Sequence, residues 1–327
     1  MELDRTGRQL LNRIQSQFPL TAEPFASLGS QFNISQDEVI NLIARWKADR
    51  IIRLIGPVME ARRLGYQTTL VAMSLPEDKL EESARVITEH PGVSHSYQRE
   101  HHFNLWFTLA IPPSSNMETE LEHLTGPLKA DVCFALPARK LFKINACFNM
   151  EGDGSLLTAD NGGTDPALAE KADLSRRDKD VINALQTDLP LEKSPFAKMA
   201  TKAALITEEF LEHSRKLLER GIVRRYGASL NHRKAGFTAN GMACWEVPAE
   251  KVDIVGKSLA SRKEVSHCYE RETNVLWKYN LFAMIHGQAI ETCREIAAEA
   301  TAANGLADYV MLFSTREFKK QRIKYPV

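Results

Sequence analysis

No stretch of the 327 residues approaches the ~20 consecutive apolar side chains that a membrane span needs, and the N-terminus lacks the basic-then-apolar pattern of an export signal. Cysteine is sparse: Cys133, Cys147, Cys244, Cys268 and Cys293 are odd in number and never fall in a CxxC pair. That spacing argues against a disulfide framework or a structural zinc site and for reduced thiols. A surplus of either charge is also missing, since 42 Lys and Arg balance 42 Asp and Glu. The chain therefore has no general attraction to nucleic acid or to an anionic membrane. Glycine-rich phosphate loops, a Ser-His-Asp order and HExxH are absent too, which removes nucleotide chemistry and zinc hydrolysis. A soluble, cytoplasmic protein is expected.

What the chain does have is a long internal repeat. Pro19-Leu20 and Pro24-Phe25-Ala26 return as Pro190-Leu191 and Pro195-Phe196-Ala197, 171 positions on. The offset persists at Arg53/Arg224, Gly56/Gly227 and Gly65/Gly236, then grows by one at Val93-Ser94-His95-x-Tyr97-x-Arg99 and Val265-Ser266-His267-x-Tyr269-x-Arg271. After four more insertions Asn104-Leu105 meets Asn280-Leu281. A period this long marks a duplicated pair of domains rather than a solenoid. An apolar skeleton must recur if a fold recurs, whereas polar residues need not, so the recurring polar residues are the first candidates for a site.

Within each half, Leu10, Leu11 and Ile14 fall at helical spacing, Phe25 and Leu28 mark a short second helix, and Ser35 with Glu38 forms a capping box before Val39, Ile43 and Trp46. A β-rich wing follows at Ile51–Gly56, which completes a winged helix-turn-helix. Beyond it the pattern reads β, α, β, β, α, β, a ferredoxin-like domain. The expected fold is thus α+β: a tandem duplication of a winged helix-turn-helix and a ferredoxin-like βαββαβ domain. The boundaries are 1–60 and 61–150 for the first pair, and 173–228 and 229–327 for the second. Residues 151–172, rich in Gly, Asp, Thr and Ala, read as a flexible linker.

A winged helix invites a DNA-binding hypothesis, but the first turn of its third helix holds Gln36, Asp37 and Glu38 in one half and Thr207, Glu208 and Glu209 in the other. Carboxylates there stabilise the helix dipole and repel phosphates. The repeated strand is more informative, because alternation places His95, Tyr97 and Arg99 on one face, and likewise His267, Tyr269 and Arg271. The readings open are a functional pocket and a solvated edge strand. Around the wings cluster Arg53, Arg62 and Arg63 in one half and Arg224, Arg225, His232 and Arg233 in the other. Such forks suit an anionic ligand or ordinary surface ion pairs. His101-His102 occur only in the first half and His232 only in the second, where its counterpart is Ala61. Histidines gathered in one pocket would serve proton transfer or iron ligation.

A winged helix followed by βαββαβ resembles the Lrp/AsnC regulators. Narrower motifs, Pro91-Gly92-Val93-Ser94-His95-x-Tyr97, Asn104-Leu105-Trp106-Phe107-Thr108 and Phe142-Lys143-Ile144, resemble the first subunit of the two-subunit siroheme decarboxylases. Arg224-Arg225-Tyr226-Gly227-Ala228, His232-Arg233-x-x-Gly236-Phe237 and Tyr279-Asn280-Leu281 resemble the second. The resemblance implies a fused enzyme, a carboxy-lyase that converts siroheme to 12,18-didecarboxysiroheme on the way to haem or haem d1. It implies His232, His267, Tyr269, His101 and His102 as catalytic residues. Arg224, Arg225, Arg233, Arg271, Arg53, Arg62, Arg63, His95, Tyr97, Arg99, Trp106, Trp277, Tyr279 and Asn280 would bind substrate. No added cofactor is implied, since the iron arrives with siroheme and His232 or His267 would ligate it. The two halves would pair with each other, with room for a further homo-oligomer. The competing classes are an Lrp/AsnC-type transcriptional regulator and a tetrapyrrole sensor.

Overall fold

In the computed structural model, residues 3–152, 155–157, 170–231, 234 and 239–327 are described. The chain opens with α1 (Arg5–Ser16), N-capped by the Asp4 carboxylate, then α2 (Pro24–Phe32) and α3 (Gln36–Ala48), where Ser35 and Glu38 close the expected capping box. Leu10, Leu11 and Ile14 of α1 meet Phe25, Leu28, Val39, Ile43 and Trp46 in one core. The wing strand β1 (Ile52–Met59) leads to β2 (Gln67–Ser74), α4 (Glu77–Glu89), β3 (Val93–Arg99), β4 (Leu105–Ile111), α5 (Met117–Thr125) and β5 (Val132–Ile144). The second half repeats the order. Its elements are α6 (Arg176–Leu185), α7 (Pro195–Lys202), α8 (Thr207–Glu219), β6 (Val223–Leu230), β7 (Ala239–Trp245), α9 (Val252–Ser261), β8 (Val265–Arg271), β9 (Leu281–Gly287), α10 (Ile290–Ala303) and β10 (Tyr309–Lys320).

The halves are joined twice. The wings pair antiparallel, β1 on β6, with Gly56 opposite Gly227. Glycine is needed at 227 because a Cβ there would come within 2.6 Å of the Ile14 and Gln15 carbonyl oxygens at the end of α1. The eight remaining strands close into one barrel of order β10-β3-β4-β2-β5-β8-β9-β7. Closure comes from two overlong strands. β5 pairs with β2 up to Pro137 and with β8 from Ala138 onward. β10 pairs with β7 up to Phe313 and with β3 from Ser314 onward. Each long strand therefore belongs to both halves, and β3 lies between β10 and β4 rather than at an edge. The solvated-edge reading of His95, Tyr97 and Arg99 falls on that observation.

Both faces of the barrel wall are buried. Outside, α4 covers Val71, Leu105 and Phe107, and α9 and α10 cover Ala243, Val265 and Ile285. Inside, Leu70, Trp106, Leu136, Met242, Phe282 and Leu312 from both halves share an apolar core. Side-chain amides then fasten the segments that follow the long strands. Gln15 Nε2 donates to the Phe148 carbonyl (2.9 Å) and its Oε1 accepts from the Phe148 amide (2.8 Å). Gln186 makes the same pair of bonds with Tyr325, at 3.1 and 2.6 Å. Within 151–172, a stretch read as linker, Leu156 bridges Phe148 and the Ala172 amide donates to the Arg63 carbonyl at 2.8 Å; residues 153–154 and 158–169 lie outside the described residues. No helix of the described residues is long and apolar enough to cross a membrane.

Candidate functional site

The two His-x-Tyr-x-Arg rows face the barrel interior, Tyr97 opposite Trp106 and Tyr269 opposite Phe282. In each row the histidine and tyrosine rings stand side by side, with centroids 6.2 Å apart for His95 and Tyr97 and 6.4 Å for His267 and Tyr269. The arginines take the other end of each row, on the far side of the tyrosine from the histidine. Arg99 Nη1 donates to the Leu312 carbonyl of β10 (2.6 Å) and Arg271 Nη1 to the Leu136 carbonyl of β5 (2.8 Å). Each guanidinium also lies over its own tyrosine, Arg271 at 4.8 Å from the Tyr269 ring centre. Burial pulls both arginines down to about 10, which leaves them charged at neutral pH. These two arginines bind the seams where one half's long strand crosses to the other.

The histidine end of the barrel lies beneath the paired wings and is strongly cationic. His95 and His267 keep some accessible surface, yet burial, reinforced by Lys320 and by each other's neighbours, lowers His95 to about 3 and His267 to about 4. Lys320, Arg224, Arg271 and Arg225 are the charges that oppose protonation of His267, in falling order. Both imidazoles are therefore neutral near pH 7. His95 Nδ1 is 2.8 Å from Ser94 Oγ, and His267 Nδ1 is 2.8 Å from Ser266 Oγ. The opposite nitrogen of each ring, Nε2, has no protein partner among the described residues. A neutral imidazole in that state can present a lone pair to iron or an N–H to a reacting atom.

Arginines line the approach. Arg224 pairs with Glu60, a buried carboxylate, and Arg53 pairs with Glu317 at 2.9 Å while donating to the Lys320 carbonyl at 3.1 Å. Arg62 donates to the Ala138 carbonyl at 2.7 Å, beside the start of the crossover in β5. Arg225, lowered to about 10 by burial, bonds Cys147 Sγ. Arg322 donates to the Gly56 and Pro57 carbonyls (2.8 Å each) and is lowered to about 9 by burial first and by Arg225 second. A cavity of about 410 Å³ opens here, lined by Arg53, Asn231, Lys234, Thr315, Arg316 and Glu317. His232 and Arg233, which stand between Asn231 and Lys234 in the chain, lie outside the described residues.

The other sequence-derived candidates are elsewhere. His101 and His102 sit in the β3–β4 turn at the opposite end of the barrel, roughly 13 Å along the strand from His95 for four residues of rise alone. There His101 packs edge-on to Trp277 (5.7 Å between centroids), in an aromatic cluster with Phe103, Trp106, Phe134 and Tyr279. Trp106 Nε1 donates to the Phe103 carbonyl at 2.7 Å. Asn280 holds the Val247 backbone through two bonds, 2.9 and 2.8 Å, just as Asn104 holds Leu75. Arg63 turns outward to the Arg220 carbonyl, 3.1 Å away. The structure thus gathers His95, Tyr97, His267, Tyr269, Arg53, Arg62, Arg224 and Arg225, with Trp106 opposite Tyr97 on the neighbouring strand, and separates His101, His102, Trp277, Tyr279 and Asn280 from them.

Four participants were missed in the sequence. Glu60, Lys320 and Arg322 carry no repeat signal, but His286 does. It interrupts the apolar strand Phe282-Ala283-Met284-Ile285-His286, and its register equivalent in β4 is Ala110. Its Nε2 is 2.7 Å from Ser266 Oγ. The same comparison of halves that singled out His232 against Ala61 would have found it. Among the described residues no three His, Cys, Asp or Glu side chains gather as a metal-binding group.

Comparison with known proteins sharpens this geometry. Residues 63–143 and 234–319 each match the AsnC-like ligand binding domain, and residues 7–53 and 178–224 match the siroheme decarboxylase NirDL-like HTH domain. The chain is 38% identical to the siroheme decarboxylase of Hydrogenobacter thermophilus over 97% of its own length and 94% of that protein's. Only 46% of it aligns with the siroheme decarboxylase beta subunit of Methanosarcina barkeri, at 37% identity, but that covers 99% of the subunit. The crystal structure of the siroheme decarboxylase NirDL in complex with an iron-uroporphyrin III analogue superposes with a TM-score of 0.73 at 34% identity, covering 99% of this chain and 95% of that one.

Proposed function

The chain belongs to the siroheme decarboxylase family, and from that premise we propose that it removes carbon dioxide from the C12 and C18 acetate side chains of siroheme, yielding 12,18-didecarboxysiroheme for haem or haem d1 formation. The observation that carries the reading is the pair of neutral histidines, His95 and His267, each with Nε2 left open, inside a ring of arginines. Siroheme is a flat iron tetrapyrrole edged with carboxylates. A cationic chamber suits those carboxylates, and arginine forks hold the ones that must stay.

Each decarboxylation breaks the bond between a side-chain methylene and its carboxylate carbon. The electron pair left on the methylene is shared with the pyrrole ring, and a proton must then close the new C–H bond. The macrocycle acts as its own electron sink, so the reaction calls for no added cofactor. His267, with Tyr269 beside it, supplies the proton, a contribution typically worth ~10²–10⁴-fold. His95, whose Nδ1 meets Ser94 Oγ and through it the Thr108 hydroxyl, is the iron ligand or carboxylate anchor of the opposite wall. Exclusion of water by the wings above favours loss of the charged carboxylate as neutral carbon dioxide.

The regulator reading has less support. The N-terminal turn of α3 carries Asp37 and Glu38, Gln36 Nε2 donates to the Lys193 carbonyl at 3.2 Å, and Asp37 lies 3.6 Å from Lys193 Nζ. The helix that would enter a DNA groove opens on carboxylates and is tied to the other module. Purified protein incubated anaerobically with siroheme is expected to release two carbon dioxide molecules per macrocycle, read by mass spectrometry of the product. Binding without release would turn the assignment toward a sensor.

A further inference from the structure

The two copies of the Val-Ser-His motif are wired differently. In the first half Ser94 Oγ touches His95 Nδ1 at 2.8 Å and Thr108 Oγ1 at 2.6 Å, so the chain of hydrogen bonds ends on a hydroxyl. In the second half Ser266 Oγ touches His267 Nδ1 at 2.8 Å and His286 Nε2 at 2.7 Å, so it reaches a second imidazole. Ser266 is fully buried, and His286 is 4% exposed. The Phe148 ring stands edge-on to His286, 5.3 Å between centroids, and is itself anchored to α1 through Gln15. The His286 backbone amide donates to the Glu264 carbonyl at 3.0 Å, which fixes the strand that carries it.

A serine hydroxyl has one proton. Placed between two imidazole nitrogens, with the Met284 carbonyl 3.4 Å away as a longer third contact, it can donate to one ring and accept from the other. That arrangement transmits a proton in one direction and resets by reversing both bonds. A threonine hydroxyl in place of the second imidazole can continue the bonding but cannot store a proton near neutral pH.

We propose that His286 is a positioning residue for the decarboxylation, acting through Ser266 to recharge His267, so that substrate carbon is protonated from the second half of the barrel. The inference rests on the decarboxylase reading given above. In each turnover His286, holding a proton on both ring nitrogens, passes the Nε2 proton to Ser266 Oγ. Ser266 passes its own proton to His267 Nδ1, and His267 releases the Nε2 proton to the methylene carbon as the carboxylate departs. One carboxylate and one proton become one C–H bond and one carbon dioxide, and His286 is left neutral. Its Nδ1 is shut off from solvent, so it regains its proton by the same wire run backward, from His267 Nε2 through Ser266, before the second acetate reacts.

The test compares siroheme turnover by the full-length protein with that of His286→Gln, which keeps a hydrogen-bonding group facing Ser266 but cannot carry the proton. A fall in kcat of about 10-fold or more is expected, with KM for siroheme and the absorption band of the bound iron unchanged. Thr108→Val should lower kcat far less. Ser266→Ala, which cuts the wire at its middle, should reproduce the His286→Gln defect and decides the matter where His286→Gln fails to fold. Unaltered kcat in Ser266→Ala and His286→Gln, or KM and spectrum drifting in step with kcat, overturns the relay while leaving the decarboxylase reading in place. No turnover by the unsubstituted protein overturns both.

Discussion

The two halves of the barrel share their fasteners and differ in their chemistry. Arg99 on Leu312 matches Arg271 on Leu136, Asn104 on Leu75 matches Asn280 on Val247, and Gln15 on Phe148 matches Gln186 on Tyr325. Every one of these pairs links strands or segments whose junction exists in both copies. By contrast, His286 faces Ala110 across the pseudo-symmetry, Arg225 corresponds to Leu54, and the Glu60 partner of Arg224 corresponds to Asn231. Recurrence in a duplicated chain therefore marks two different things. A polar residue repeated with its partner keeps the architecture, whereas a repeated residue with a changed partner, as at His95 and His267, marks the site that has specialised.

That contrast can be broken most forcefully at the histidines. His267→Ala is expected to lower decarboxylation ~10²–10⁴-fold, and His95→Ala to fall well short of that while weakening the absorption signature of bound iron. Equal losses in initial-rate assays would mean that both halves perform the chemistry. A smaller effect is expected at the ion pairs. Arg224→Met strands the buried Glu60 carboxylate and should cost ~3 kcal/mol in urea unfolding. Arg53→Met leaves the more accessible Glu317 and should cost ~1 kcal/mol; matching costs would erase the asymmetry.

The smallest contrast concerns acid. Both histidines are depressed below the unfolded value near 6.5, so the unfolded chain binds protons more readily. The stability they support is complete above pH 6.5 and is lost as pH falls toward about 4 for His267 and about 3 for His95. His267→Gln should flatten the decline of melting temperature over the first window, and His95→Gln should flatten it one unit further down. That extra unit corresponds to ~1.4 kcal/mol. Identical curves for the two variants would place both rings in equivalent surroundings.

The helices and most strands were legible because capping boxes, apolar spacing and alternation are local signals. The capping box at Ser35 and the strand from Val93 appear where the pattern puts them. Barrel closure was not legible, since it depends on pairing between residues 138–144 and 267–271 and between 314–320 and 95–99, which no local pattern encodes. The only trace was length: β5 runs 13 residues and β10 runs 12, against 7 for β3 and β4. For the site, the shared face of His95 and Tyr97 followed from strand geometry. The destination of Arg99 did not, because a carbonyl contributed by a strand over 200 positions away leaves no mark near residue 99.

The crossing of β10 onto β3 also sets a schedule. During synthesis the edge of β3 is complete about 210 residues before its partner strand begins, which at ~5–20 residues per second is tens of seconds. For that interval the nascent first half presents an unpaired strand edge, the kind of surface that recruits other chains. Carrying β10 on the same polypeptide means that the missing strand arrives tethered rather than by collision, at an effective concentration that can reach the millimolar range. Joining the halves thus protects a half-built barrel on the ribosome, a benefit separate from anything the finished chamber does.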